Sequence, residues 1–145
     1  MTESSEIKNA WKKYMEKLLN EENSWNKGTT CEKVEGPCEP IRKDEILKAL
    51  RMINKGKAAG PTGVVTKMIM VDENLGVEWM ADPCNLIVAE GRIPEDWKCS
   101  VLLPVLKGKG DPIECGSYRA IKLLEHSMKV IERVFERRIR EKVNG

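Results

Sequence analysis

Apolar side chains recur at three- and four-residue steps in Ile7, Trp11, Tyr14, Met15, Leu18 and Leu19, which predicts a helix over residues 5–20. Ile46, Leu47, Leu50 and Ile53 repeat the pattern over 43–54, with Asp44 near the start and Gly56 as the expected left-handed stop. A short helix is expected over Val64–Val71. Val77, Met80, Cys84, Ile87 and Val88 mark a further helical stretch over 76–90, closed by Gly91. Pro83 leaves two readings there: the helix starts with Asp82 as cap and Pro83 at its first position, or it runs through Pro83 and is kinked. Ile93–Trp97 reads as a turn. A last stripe, Met128, Ile131, Val134, Phe135 and Ile139, predicts a helix from His126 to Val143, with Arg133, Arg137, Arg138 and Arg140 mostly outward.

Two segments break this period. Cys99–Leu106 is a continuous apolar run of strand length, and Tyr118–Leu123 is its expected partner. Between them, residues 107–117 form a long, basic, glycine-containing hairpin loop. Pro104 has no N–H, so the first strand needs an edge position or a break there. A period of two places Arg119, Ile121 and Leu123 on one face. A charge on an otherwise apolar face either has a function or snorkels to water. Residues 21–40, with Asn23, Ser24, Gly28, Gly36, Pro37 and Pro40, predict a linker or extended wrap. The fold class expected from these elements is α+β, mainly helical, with a short antiparallel β-hairpin.

Composition agrees with a folded chain. Its 145 residues are 41% apolar and 33% charged, the balance of a globular protein. The net charge of +2 is small, but from Arg92 onward 12 Lys and Arg face 8 Asp and Glu, so that part is the better partner for a polyanion. A solvated helix face explains the same surplus, and Glu132, Glu136 and Glu141 interleave with the arginines as pairing partners would. Five cysteines without a CxxC pair and a single histidine, His126, build no zinc-ligand spacing. Reduced thiols in an intracellular protein, nuclear or cytoplasmic, are the simplest reading. The acidic, polar first residues are no signal peptide, and no apolar run reaches the length of a membrane span.

Four runs carry chemistry when taken in order. They are Ile53-Asn54-Lys55-Gly56-Lys57-Ala58-Ala59-Gly60-Pro61-Thr62-Gly63; Glu90-Gly91-Arg92-Ile93-Pro94-Glu95-Asp96-Trp97-Lys98; Leu102-Leu103-Pro104-Val105-Leu106-Lys107-Gly108-Lys109-Gly110-Asp111; and Tyr118-Arg119-Ala120-Ile121-Lys122-Leu123-Leu124, continued by His126-Ser127-Met128-Lys129-Val130-Ile131-Glu132-Arg133. With this order and spacing, residues 11–143 resemble the reverse transcriptases of non-LTR (LINE-type) retrotransposons. Trp11–Trp25 also resembles the segment that leads into the polymerase in these elements.

The resemblance implies a domain layout: 1–40 as helix and linker leading into the polymerase, and 41–145 as a partial fingers domain with the palm absent. It implies that Arg119 and Lys107 contact the incoming nucleoside triphosphate. Lys55 and Lys57 are candidate template contacts, with a solvated loop as the other reading. It further implies RNA or DNA template–primer and dNTP as partners, with a palm domain or another protein on the exposed apolar face. Magnesium is expected for the full-length enzyme and none for this fragment, because the palm motif with its catalytic aspartates is missing. The five aspartates present stand outside that motif, so no catalytic residue is expected and the chain is read as inactive alone. Gly56–Gly63 lacks the GxxxxGK[ST] order of a Walker loop and reads as a turn that positions the next helix. The chain departs from the family at Thr62, where aspartate is usual and where threonine could still cap a helix start. It departs again at Ala120, where proline or glycine is usual, and at Pro83. These departures and the missing palm suggest a decayed or truncated element copy. The alternatives are a nucleic-acid-binding module or a non-catalytic interaction remnant.

Overall fold

A computed structural model describes residues 2–22 and 38–145. Among them the elements run α1 (Thr2–Asn20), α2 (Lys43–Met52), α3 (Thr66–Ile69), α4 (Glu73–Glu90), α5 (Glu95–Lys98), β1 (Ser100–Leu106), β2 (Tyr118–Leu124) and α6 (His126–Val143). A 3-10 turn over Cys115–Ser117 leads into β2. The two strands pair as one hairpin, so the fold is α+β and mainly helical. Most of the linker expected over 21–40, with Trp25 and Cys31, lies outside the described residues. No described helix is long and apolar enough to cross a membrane.

The described residues fall into two compact units. The larger holds Pro37–Leu103 together with Ala120–Gly145. Its core is built where α2, α4 and α6 meet. Ile46, Ala49 and Leu50 line the inner face of α2, Val77, Met80, Cys84 and Ile87 that of α4, and Val130, Ile131 and Val134 that of α6. Each set recurs at three- or four-residue steps, which is why the apolar period located all three helices. Asn85 of α4 fixes the approach to α2: its side-chain oxygen accepts from the Ile41 N–H at 2.7 Å, and its amide donates back to the Ile41 carbonyl at 3.1 Å.

Several boundaries differ from the sequence expectation, each for a local reason. α2 ends at Met52 and not at Gly56, because Ile53 turns extended (φ −77°, ψ 122°) and drops its side chain into the core. Gly56 still takes a positive φ of 88°, but in the turn that follows. α4 begins at Glu73, since Asp72 caps it by accepting from the N–H groups of Asn74 and Leu75 at 3.0 and 3.1 Å. The helix therefore runs through Pro83, and the Asp82-capped start does not occur. Gly76 is required near that start, because a Cβ there would meet the Ile69 carbonyl oxygen at 1.9 Å. Within and just past Ile93–Trp97, read as a turn, Glu95–Lys98 form the single helical turn α5. Ile139, expected inward, is 61% exposed.

The smaller unit gathers α1 and Pro104–Arg119. Trp11, Tyr14 and Met15 of α1 are half-buried, whereas Ile7, Leu18 and Leu19 of the same expected stripe are exposed.

Candidate functional site

At the tip of the hairpin, the Lys107 N–H donates to the Ser117 carbonyl at 3.0 Å, which sets these residues opposite each other. Counting back along antiparallel strands puts Val105 opposite Arg119. Side chains alternate, so Lys107, Val105 and Arg119 share one face and Tyr118 stands on the other. Trp11 of α1 takes the Tyr118 side, edge to face with centroids 5.0 Å apart at 89°. The Tyr118 hydroxyl donates to the Pro112 carbonyl at 2.9 Å and so ties down the loop.

Arg119 and Lys107 are both exposed on the face away from Trp11. They differ in freedom. The Lys107 ammonium donates to the Gly116 carbonyl at 2.8 Å. Among the described residues the Arg119 side chain has neither a hydrogen bond nor an ion pair. A guanidinium and an ammonium on one face suit an anion with tetrahedral oxygens: the first offers a planar fork of donors, the second a point charge.

The other predicted cations, Lys55 and Lys57, belong to the larger unit and are exposed around the Gly56 turn. The loop they open is tightly held. Gly60 approaches the β2–α6 junction so closely that a Cβ would lie 2.7 Å from the Glu125 nitrogen. The Glu125 carboxylate accepts from the Thr62 N–H at 2.7 Å and from the Thr62 hydroxyl at 2.6 Å. His126 Nε2 lies 3.0 Å from the Ala58 carbonyl, which makes it the protonated nitrogen. Nδ1 is then free to accept from the Thr66 N–H at 2.9 Å. Thr66, Glu125 and His126 are all at most 2% exposed. Thr62 is thus no helix cap: Val65 takes that position for α3, and Thr62 spends its donors on Glu125. The expectation that His126 opens a helix holds.

A second polar joint sits between α2 and α6. Arg138 grips Glu45 with two parallel bonds, Nε to Oε1 and Nη2 to Oε2, each 2.8 Å. It also donates to the carbonyls of Glu39 and Pro40 at 2.8 and 2.9 Å. The Arg138 side chain is therefore turned inward, contrary to the outward expectation. Glu45 also accepts from the Arg42 N–H at 2.9 Å. Its carboxyl is held down to about 2, first by the hydrogen bonds from Arg138, with burial acting in the opposite sense. The remaining α6 arginines pair along their own helix, Arg133 and Arg140 with Glu136 and Arg137 with Glu141.

Sequence reasoning missed the Glu125–Thr62 and His126–Thr66 contacts and the Arg138 clamp. Each joins residues sixty or more apart, and neither periodicity nor local spacing carries such pairing. The one available signal was compositional: a glutamate and a histidine placed together between an apolar strand and an amphipathic helix. Among the described residues no three His, Cys, Asp or Glu side chains gather to hold a metal ion.

No family model matches the chain. Two curated proteins are similar to it. One is the "Retrovirus-related Pol polyprotein from type-1 retrotransposable element R1" of Bradysia coprophila, 30% identical over 107 residues, 71% of this chain and 10% of that protein. The other is the "Probable RNA-directed DNA polymerase from transposon BS" of Drosophila melanogaster, 29% identical over 106 residues, 72% of this chain and 12% of that protein. The chain spans about a tenth of the length of these relatives.

Proposed function

We infer that this chain, a relative of the reverse transcriptases of non-LTR retrotransposons, works as the fingers part of such a polymerase and grips the incoming nucleoside triphosphate through Arg119 and Lys107. The observation that carries this reading is the open tip face, which Arg119, its side chain without a partner among the described residues, shares with Lys107 while Trp11 packs against Tyr118 on the opposite face. The guanidinium fork matches two phosphate oxygens at once, and the ammonium adds charge beside it. Residues 41–145 are the partial fingers in this reading, 1–40 the segment leading into them, and Lys55 and Lys57 the template-side cations. Chemistry belongs to acidic residues outside this stretch: the fragment binds and does not polymerise alone.

The test is equilibrium binding of a fluorescent dNTP to the chain. Arg119→Ala is expected to weaken binding about tenfold or more, the size of a lost charged hydrogen-bond pair. Lys107→Ala is expected to weaken it less, since that ammonium is partly engaged by Gly116. Unchanged affinity in Arg119→Ala would overturn the grip. Primer extension by the unaltered chain with template, dNTP and magnesium would overturn the reading that it is inactive alone.

A second reading, an interaction remnant, is favoured by one observation. Met68, Val71, Leu75 and Trp79 are each more than half exposed and line one apolar groove. Contiguous apolar surface of this kind marks a protein-binding face.

A further inference from the structure

α4 carries apolar side chains on two opposite faces. Val77, Met80, Cys84 and Ile87 are buried in the core, while Leu75, Trp79 and Leu86 are each more than half exposed. A helix that is apolar on both sides is built to be covered on both. The outer residues Leu75, Trp79, Asp82 and Leu86 are spaced by four, three and four. That alternation keeps them on one stripe, as in the seam of a coiled coil. Met68 of α3 and Val71 join the Leu75 end of the stripe in lining a groove of about 610 Å³.

The stripe is complementary to itself when run antiparallel. Setting Leu75 against Leu86 of a second copy also sets Trp79 against Asp82, and a two-fold axis repeats both pairs. The outer layers are then apolar. In the central layers an indole N–H, which can only donate, meets a carboxylate, which can only accept. Neither side chain has a hydrogen bond or ion pair among the described residues. The flanking charges obey the same symmetry. Lys67, next to Met68 at the Leu75 end, and Glu90, one turn beyond Leu86, are exposed and have no ionic partner among the described residues. Antiparallel pairing brings the Lys67 end of each copy to the Glu90 end of the other. Parallel pairing would instead set Asp82 against Asp82 and align the two helix dipoles.

We propose that the outer face of α4 docks a second copy of this chain, with the two helices antiparallel and Leu86 of each seated in the apolar groove of the other. This rests on the second reading above, the face as a protein-binding surface, and deepens it by naming the occupant and its register. The Trp79–Asp82 pair fixes the register, because a slip by one turn leaves the carboxylate against leucine.

The test is sedimentation equilibrium of the chain over about 1 μM to 1 mM, the range in which a small interface associates. The average mass is expected to climb from 16.5 kDa toward twice that value. Trp79→Ala is expected to weaken the pair about thirtyfold, as truncation of a central interface tryptophan does. Lys67→Glu should weaken it less, and adding Glu90→Lys should restore it, which a misfolded chain would not do. Oxidised Leu75→Cys/Leu86→Cys should form a disulfide between position 75 of one copy and position 86 of the other. Within one helix those positions stand roughly 16 Å apart, too far for that bond. Urea midpoints of the variants serve as the folding control. A monomer throughout the range overturns the proposal, as does a dimer that Trp79→Ala leaves intact, or a disulfide joining position 75 of both copies. A monomer whose ANS fluorescence is lost in Leu75→Glu would overturn the pair while leaving the face a protein-binding surface. Binding of a fluorescent dNTP should be the same in Trp79→Ala as in the unaltered chain, so the triphosphate grip stands or falls separately.

Discussion

Glu125 and Thr62 lie sixty-three residues apart, and the carboxylate of one accepts both donors of the other, the N–H at 2.7 Å and the hydroxyl at 2.6 Å. Glu125 is 2% exposed, so these bonds replace water around its charge. An aspartate at position 62 would lose the hydroxyl and set a second carboxylate against that of Glu125, at a position itself open to solvent. Thr62→Asp is therefore expected to destabilise the chain by about 2 kcal/mol, the scale of a lost hydrogen bond to a charged group. Adding Glu125→Gln should recover most of that loss, because an amide can donate to the new carboxylate. Urea denaturation of the two variants measures both effects. Equal stability of Thr62→Asp and the unaltered chain would dismiss the joint as a structural element.

The Arg138–Glu45 clamp makes stability depend on acid. Hydrogen bonds from Arg138 lower the Glu45 carboxyl from an ordinary 4.5 to about 2. A lowered folded-state value means the unfolded chain binds the proton more readily. The contribution is fully present above pH 4.5 and is lost as the pH falls from there through about 2. Urea midpoints should decline across that window, and Glu45→Gln should flatten the decline while costing about 2 kcal/mol at neutral pH. A Glu45→Gln chain with the same acid profile as the unaltered one would assign the acid sensitivity to other carboxylates.

Cys84 is fully buried in the core, and burial pushes its thiol up to about 12. Cys38 and Cys99 are exposed. Pulse labelling with iodoacetamide at pH 8, read by peptide mass spectrometry, should modify Cys38 and Cys99 in the native protein and spare Cys84 until urea unfolds it. Thiolate is the reacting species, so both access and charge act in the same direction. Labelling of Cys84 at the rate of Cys99 under native conditions would contradict the α2–α4–α6 packing.

Much of the fold was legible because apolar period is a local signal. Ile46 and Leu50, Met80 and Cys84, and Val130 and Val134 all repeat at one helical turn, and all are buried. The hairpin was legible for the same reason, from an apolar run and a basic loop. What escaped was decided by partners distant in sequence. Ile139 continues the α6 stripe, yet it is exposed at the end where Arg138 meets Glu45. Gly56 has the conformation of a cap but was pre-empted by Ile53, whose burial in the core ended α2 first. For the site, the period-two face of Arg119 was readable from the strand. That Trp11 covers the other face, and that the Lys107 ammonium returns to its own loop, were not readable from local pattern.

Consider what α6 means for a chain emerging from a ribosome. The helix supplies Val130, Ile131 and Val134 to a core whose other walls, α2 and α4, are translated some forty to ninety residues earlier. Until α6 is out, Ile46, Leu50 and Met80 have no third surface to close against, and the loop before α3 has neither Glu125 nor His126 to hold it. The larger unit thus closes late, in a step that joins distant segments and is slow for that reason. During that interval its apolar faces are open to chaperones and to aggregation with neighbouring nascent chains.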